Sequence, residues 1–168
     1  MLTSAARIFD LQENTQLQCG DRSALTGMRT ETLVNDEMIL IVDDSKFIAR
    51  AYSKVLERLG YRVLIACDGK TGILAALNCR PSLILLGMFL PDMGGADVLE
   101  TLKRTPSVSH IPVLVTNSVS GKIADKLIQD GAGGFCEKSS MTQEKLENAI
   151  SGILKKRLLV PSGQGSQL

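Results

Sequence analysis

Four polar residues and one glycine define the chemistry open to this chain. Asp43 and Asp44 follow the apolar run MILIV, Thr116 follows IPVLV, and Lys138 follows GFCE. Gly87 ends a third apolar run, PSLILLG, ahead of the loop MFLPDMGG. Adjacent carboxylates repel one another and stay ionised when a cation is close, either a hard metal such as Mg2+ or an ammonium. A hydroxyl and an ammonium converging on the same edge suit a transferred phosphoryl group, whose oxygens need donors and positive charge. In an open parallel α/β sheet such chemistry sits beyond the carboxyl ends of the strands, and there a residue without a side chain withholds a part. Taken singly, the aspartates read as solvated helix caps, Thr116 as a strand residue and Lys138 as a surface lysine. Their joint placement at the ends of different strands carries the argument.

The elements that must position these residues repeat regularly from Met38 onward. MILIV is a continuous apolar run of strand length, and SKFIARAYSKVLERLG then places Phe47, Ile48, Tyr52, Val55, Leu56 and Leu59 on one expected helical stripe. Ser45 is the expected N-cap and Gly60 sits where a C-terminal glycine belongs. The same unit recurs: YRVLIA before KTGILAALN, SLILL before GADVLETLKR, IPVLV before GKIADKLIQDG, and GFCEK before TQEKLENAISGILKKRLL. Strands that are apolar throughout are buried on both faces, and short βα alternation forces parallel pairing through right-handed crossovers. The expectation is a doubly wound, five-stranded parallel sheet in three αβα layers, (βα)5. Residues 1–36 are polar and aperiodic and read as a flexible extension, with a short helix around Ala5 to Leu11 or a start at Met28 or Met38 as alternatives. Residues 37–158 form the domain, and 159–168 read as a disordered tail.

IVDDS, LPDMGG, the strand-end threonine and GAGGFCEK together resemble the receiver domains of bacterial two-component response regulators, the CheY-like domains with a flavodoxin-like fold. The resemblance covers roughly Glu37 to Leu158. It implies that an aspartate at the end of the third strand accepts a phosphoryl group from a histidine kinase with the aid of Mg2+. It further implies that Asp43 and Asp44 hold the metal, that Thr116 and Lys138 contact the phosphoryl group, and that Phe135 is the aromatic switch residue. Counting from Pro112 in the usual spacing places Asn117 in the hydroxyl position, whereas counting back from Lys138 places Thr116. Thr116 is preferred because it continues the apolar strand. The lysine of this family is normally followed by proline through a cis peptide. Here Ser139 follows, and a cis bond before a non-proline residue costs roughly 2.5–4 kcal/mol, so a trans bond and a reshaped loop are expected.

The largest departure is Gly87, which occupies the phosphoacceptor position. Without a carboxylate no acyl phosphate forms there, and a Mg2+ site loses its central ligand. The resulting expectation is a stand-alone, phosphorylation-independent interaction module, resembling pseudo-receivers. It would bind a histidine kinase or a downstream effector through the face built from the fourth helix, fifth strand and fifth helix, as a monomer or weak homodimer. The alternative is a conventional Mg2+-dependent phosphoaccepting receiver, in which Gly87 is an engineered or incidental substitution or another residue, such as Asp92, is phosphorylated. Direct pairing of Lys138 with the two aspartates would hold the edge in one arrangement without phosphate.

Other classes are disfavoured by composition. Among 168 residues, 19 Lys and Arg against 18 Asp and Glu leave a charge of +1, which offers no large field for nucleic acid or anionic membrane. Lys155, Lys156 and Arg157 fit the C-terminal end of a helix, where cations complement the dipole. Neither GxxxxGK[ST] nor GxGxxG occurs, and DD replaces the DxD expected of haloacid-dehalogenase-type enzymes, so no enzyme is expected. The four cysteines lack metal or CxxC spacing and read as reduced thiols, and the single histidine, His110, reads as a loop residue. No window approaches the roughly 18 apolar residues of a membrane span, and the start has no signal-peptide core. A cytoplasmic location is therefore expected.

Overall fold

The computed structural model describes residues 37–118 and 122–159. The expected extension (1–36) and residues 160–168 of the expected tail lie outside them. The elements are β1 (Met38–Val42), α1 (Lys46–Arg58), β2 (Arg62–Ala66), α2 (Gly69–Cys79), β3 (Leu83–Gly87), α3 (Gly95–Arg104), β4 (Val113–Asn117), α4 (Lys122–Gln129), β5 (Gly134–Glu137), a 3-10 turn (Lys138–Ser140) and α5 (Gln143–Leu159). The five strand–helix units read from the sequence are all present, and α5 reaches Leu159, one residue into the stretch read as tail.

The strands form one parallel sheet in the order β2-β1-β3-β4-β5. The doubly wound, flavodoxin-like architecture is therefore observed, with β3 at its centre. Leu83, Ile84, Leu85 and Leu86 are at most 1% exposed, because helices cover both faces of the sheet. On one face, Leu40, Val42, Ile84 and Leu86 pack with Ala76 of α2, Val98, Leu99 and Leu102 of α3 and Leu127 of α4. On the other, Ile39, Ile41, Leu83 and Leu85 pack with Ala49 and Leu56 of α1 and with Leu146, Ile150 and Leu154 of α5.

Local signals set the element ends. The Ser45 hydroxyl accepts from the Ile48 N–H at 3.4 Å, as expected of the α1 cap, and Asp68 caps α2 by accepting from the Thr71 N–H at 2.8 Å. Gly60 adopts φ 87°, the left-handed conformation that a glycine tolerates after a helix. Lys103 near the end of α3 donates to the Ser109 and Ile111 carbonyls at 3.1 and 2.8 Å, tying the helix to the segment that leads into β4.

One expectation fails in α1. Phe47 was placed on the buried stripe but is 83% exposed. Its helical phase explains this: at 100° per residue, the nine positions from Phe47 to the buried Leu56 bring them roughly 180° apart. Ala49, Ser53 and Leu56 carry the buried face instead. A second adjustment is that β4 runs past IPVLV to include Thr116 and Asn117.

Candidate functional site

The carboxyl edge of the sheet collects the residues singled out above. Gly87 is the last residue of β3 and pairs in register with Thr116 of β4, which in turn pairs with Cys136 of β5. Thr116, rather than Asn117, thus lies directly beside Gly87. Thr116 is buried and its hydroxyl donates to the Leu86 carbonyl at 3.4 Å. Asn117, one residue further along, folds back so that its side-chain oxygen accepts from the Ser118 N–H at 2.7 Å.

The two aspartates after β1 separate. Asp43 is 2% exposed, whereas Asp44 is exposed. Both oxygens of Asp43 are engaged: Oδ1 accepts from the Ser45 N–H at 3.0 Å, and Oδ2 accepts from Lys138 Nζ at 2.5 Å. Lys138 begins the 3-10 turn immediately after β5, and its side chain is only 15% exposed. An ammonium from one strand end therefore reaches a carboxylate two strands beyond its neighbour β4. The Lys138–Ser139 bond is trans, as expected where no proline follows, like every described peptide bond, and a 3-10 turn over Lys138–Ser140 follows β5.

Gly87 lies under this pair. A Cβ built on it would come 2.9 Å from Asp43 Oδ2, 3.3 Å from Asp43 Cγ and 3.2 Å from the Val42 carbonyl. Tyr52 of α1 packs on the same side of the sheet. Burial, with the Asp43 carboxylate and the Cys136 thiol adding to it, pushes the Tyr52 phenol up to about 12. Phe135 is half-buried on the opposite face, against the core under α2, α3 and α4.

Two contributions were not read from the sequence. Asp92, in the loop after β3, accepts from the Gly69 and Lys70 N–H groups at 2.7 and 2.9 Å, at the start of α2. Burial is the largest single influence and favours its protonated form, but the backbone N–H groups of Gly69, Lys70, Asp92 and Met93 together outweigh it and hold the carboxyl below its ordinary value of 3.8. Both oxygens are thereby turned toward a helix terminus 22 and 23 residues distant in sequence, a pairing with no local signature. Gly95 is the other: a Cβ there would lie 2.4 Å from the Gly87 carbonyl oxygen and 2.7 Å from Met88 Cα, so α3 starts against the backbone that carries Gly87. The GG pair in LPDMGG was its only trace in the sequence.

Residues 39–151 match the response regulator receiver domain. The chain belongs to the response regulator receiver family. Curated relatives include the DNA-binding dual master transcriptional regulator RpaA of Synechocystis, 34% identical over 73% of this chain and 51% of that protein. The response regulator PleD of Caulobacter vibrioides is 34% identical over 60% of this chain and 22% of its own length. The chain spans about half or less of these relatives. Among solved structures, the signal receiver domain of a LuxO repressor protein from Vibrio parahaemolyticus aligns with a TM-score of 0.69 at 29% identity, covering 74% of this chain and 94% of that one. A CheY-like receiver domain from Methanospirillum hungatei aligns with a TM-score of 0.67 at 26% identity, covering 74% and 98%.

The response regulator receiver domain is a module of two-component signal transduction, and its CheY-like, flavodoxin-like fold is the one observed. Receiver domains interact with histidine kinases and effectors and typically bind Mg2+ at the phosphorylation site. Among the described residues, no helix is long and apolar enough to cross a membrane.

Proposed function

We propose that this receiver does not accept phosphate at the usual position and works instead as a protein-interaction module. The observation that carries the reading is Gly87 at the end of the central strand, between Asp43 and Thr116, where an acceptor carboxylate would stand. Glycine offers no oxygen to phosphorylate. Asp92 is a poor replacement, because the start of α2 already engages both of its oxygens.

The residues present do not fit a Mg2+ centre. Mg2+ requires near-octahedral oxygen ligation. Gly87 supplies no side-chain oxygen, both oxygens of Asp43 already accept from Ser45 and Lys138, and only Asp44 is left exposed. No cluster of three or more His, Cys, Asp or Glu suited to a metal occurs among the described residues. In this reading Asp43 and Lys138 form a structural pair, and Thr116 and Phe135 keep their places without a phosphoryl group to sense.

The partner would be a histidine kinase or a downstream effector, engaged through α4, β5 and α5. Ile123 and Ile128 of α4 are each 46% exposed, and an open cavity of about 340 Å3 beside β5 and α5 is lined by Phe135, Met141 and Lys145 among others. Exposed apolar residues and a mixed-polarity depression are surface features that a modest protein interface uses. Incubation of the full chain with acetyl phosphate and Mg2+, followed by intact-mass measurement, tests the reading. The parent mass should persist, and a labile added phosphate would overturn it.

A further inference from the structure

We propose that Lys138 is the built-in counter-ion of Asp43, which makes the carboxyl edge electrostatically complete without a divalent cation and indifferent to one. The inference rests on the reading of Gly87 given above and concerns what has replaced the metal at the same edge.

A carboxylate as buried as Asp43, 2% exposed, must be paired and hydrogen-bonded to remain ionised inside the fold. Its two oxygens meet that requirement from within the chain, Oδ1 through the Ser45 N–H and Oδ2 through the Lys138 ammonium. Lys138 is itself largely shielded, at 15% exposure, so the attraction is weakly screened by solvent. A metal ion seeking Asp43 would have to share an oxygen already engaged by this ammonium or by the Ser45 N–H, and would meet the repulsion of the ammonium's own positive charge. It would gain in exchange only the exposed Asp44 as a neighbouring side-chain carboxylate.

Gly87 permits the arrangement. A Cβ at position 87 would come 2.9 Å from the same Oδ2 that Lys138 holds and 3.3 Å from the carboxyl carbon. A side chain there would press on Oδ2, so Asp43 and the Lys138 ammonium would have to shift together. The glycine and the ion pair are thus two halves of one arrangement. The small residue leaves the room, and the carboxylate and its ammonium occupy it.

Thermal unfolding of the full chain, in chelator and in millimolar Mg2+, tests the proposal with the parent, Lys138→Met, Asp43→Asn and the double variant. The parent midpoint should not move with Mg2+. Lys138→Met should lose many degrees, since it strands a buried charge. The double variant, with no charge left to strand, should recover most of that loss. A Mg2+-dependent rise in the parent midpoint, as mass action requires of an ion bound by the native state, would overturn the proposal. So would a double variant whose loss equals the sum of the single losses. Should Lys138→Met fail to fold, Mg2+ titration of the parent followed by the amide resonances of Asp43 and Lys138 decides alone: constant resonances support the built-in counter-ion, and saturable shifts overturn it. Mg2+ stabilisation without phosphate labelling would sink this inference only, whereas labelling by acetyl phosphate would sink the reading of Gly87.

Discussion

Replacing Gly95 by alanine should destabilise the protein even though the residue opens a helix. On propensity alone, Gly→Ala in a helix gains up to about 1 kcal/mol. Here the added methyl would sit 2.4 Å from the Gly87 carbonyl oxygen, 2.7 Å from Met88 Cα and 3.2 Å from the Gly87 carbonyl carbon, where ordinary contact begins near 3.4 Å. All three obstacles are backbone atoms, so relief requires α3 and the end of β3 to part by roughly 1 Å. That movement would also loosen Val98, Leu99 and Leu102, which seal one face of the sheet, and the hydrogen bond from the Gly95 N–H to the Met88 carbonyl. Overpacking of this kind costs about 1–3 kcal/mol, and with two backbone segments involved the upper half of that range should outweigh the propensity gain. The net expectation is a loss of about 2 kcal/mol. Gly87→Ala is the internal control. Its nearest obstacle, Asp43 Oδ2 at 2.9 Å, is the end of a side chain that can swing. The change should therefore stay within about 1 kcal/mol of the parent, because alanine also restricts the unfolded chain. Urea unfolding with equal slopes reads both values. A Gly95→Ala protein as stable as the parent, or a Gly87→Ala protein that loses as much, would refute the reasoning.

Two further outcomes follow from the titrating groups around the edge. Asp92→Asn should cost about 1 kcal/mol at neutral pH, through weaker acceptance from the α2 N–H groups. Because the native Asp92 carboxyl is held below 3.8, its contribution is present above that pH and is lost as pH falls through the lower native value. The gap between parent and variant in urea titrations should accordingly close in acid, and a gap that persists there would refute the assignment. Tyr52 should ionise near 12 in the native protein, read by ultraviolet absorbance against a Tyr52→Phe control. The unfolded chain releases that proton first, near 10, so stability should fall between pH 10 and 12 by an amount that Tyr52→Phe abolishes. A Tyr52 titration at the ordinary value would refute this.

Much of the fold was legible because its strands are apolar runs and its helices begin and end on conventional signals. Met38–Val42 and Gly95–Arg104 coincide with the segments read from the sequence, and Ser45 and Gly60 perform the capping expected of them. The failure at Phe47 was one of phase: a large apolar residue was counted onto a stripe although it lies half a turn from Leu56. The convergence of Asp43, Thr116 and Lys138 on the edge was legible from strand order alone, since parallel strands deliver their carboxyl ends to one side. Which of two adjacent aspartates turns inward, and whether Thr116 or Asn117 lies beside Gly87, depended on burial and on strand register, which short motifs do not encode. The hold of Asp92 on α2 and the close approach at Gly95 join segments distant in sequence or in separate layers, so no local pattern announced them.

Adding beryllofluoride, a phosphoryl analogue, with Mg2+ to the full chain while following its amide resonances shows whether this edge still works as a phosphoryl site. The analogue occupies a receiver only through an acceptor carboxylate and its metal. The resonances of Gly87, Thr116, Phe135 and Lys138 should stay where they are. Saturable shifts clustered at those residues would contradict the proposed function, because they would show a phosphoryl site operating where Gly87 provides no acceptor.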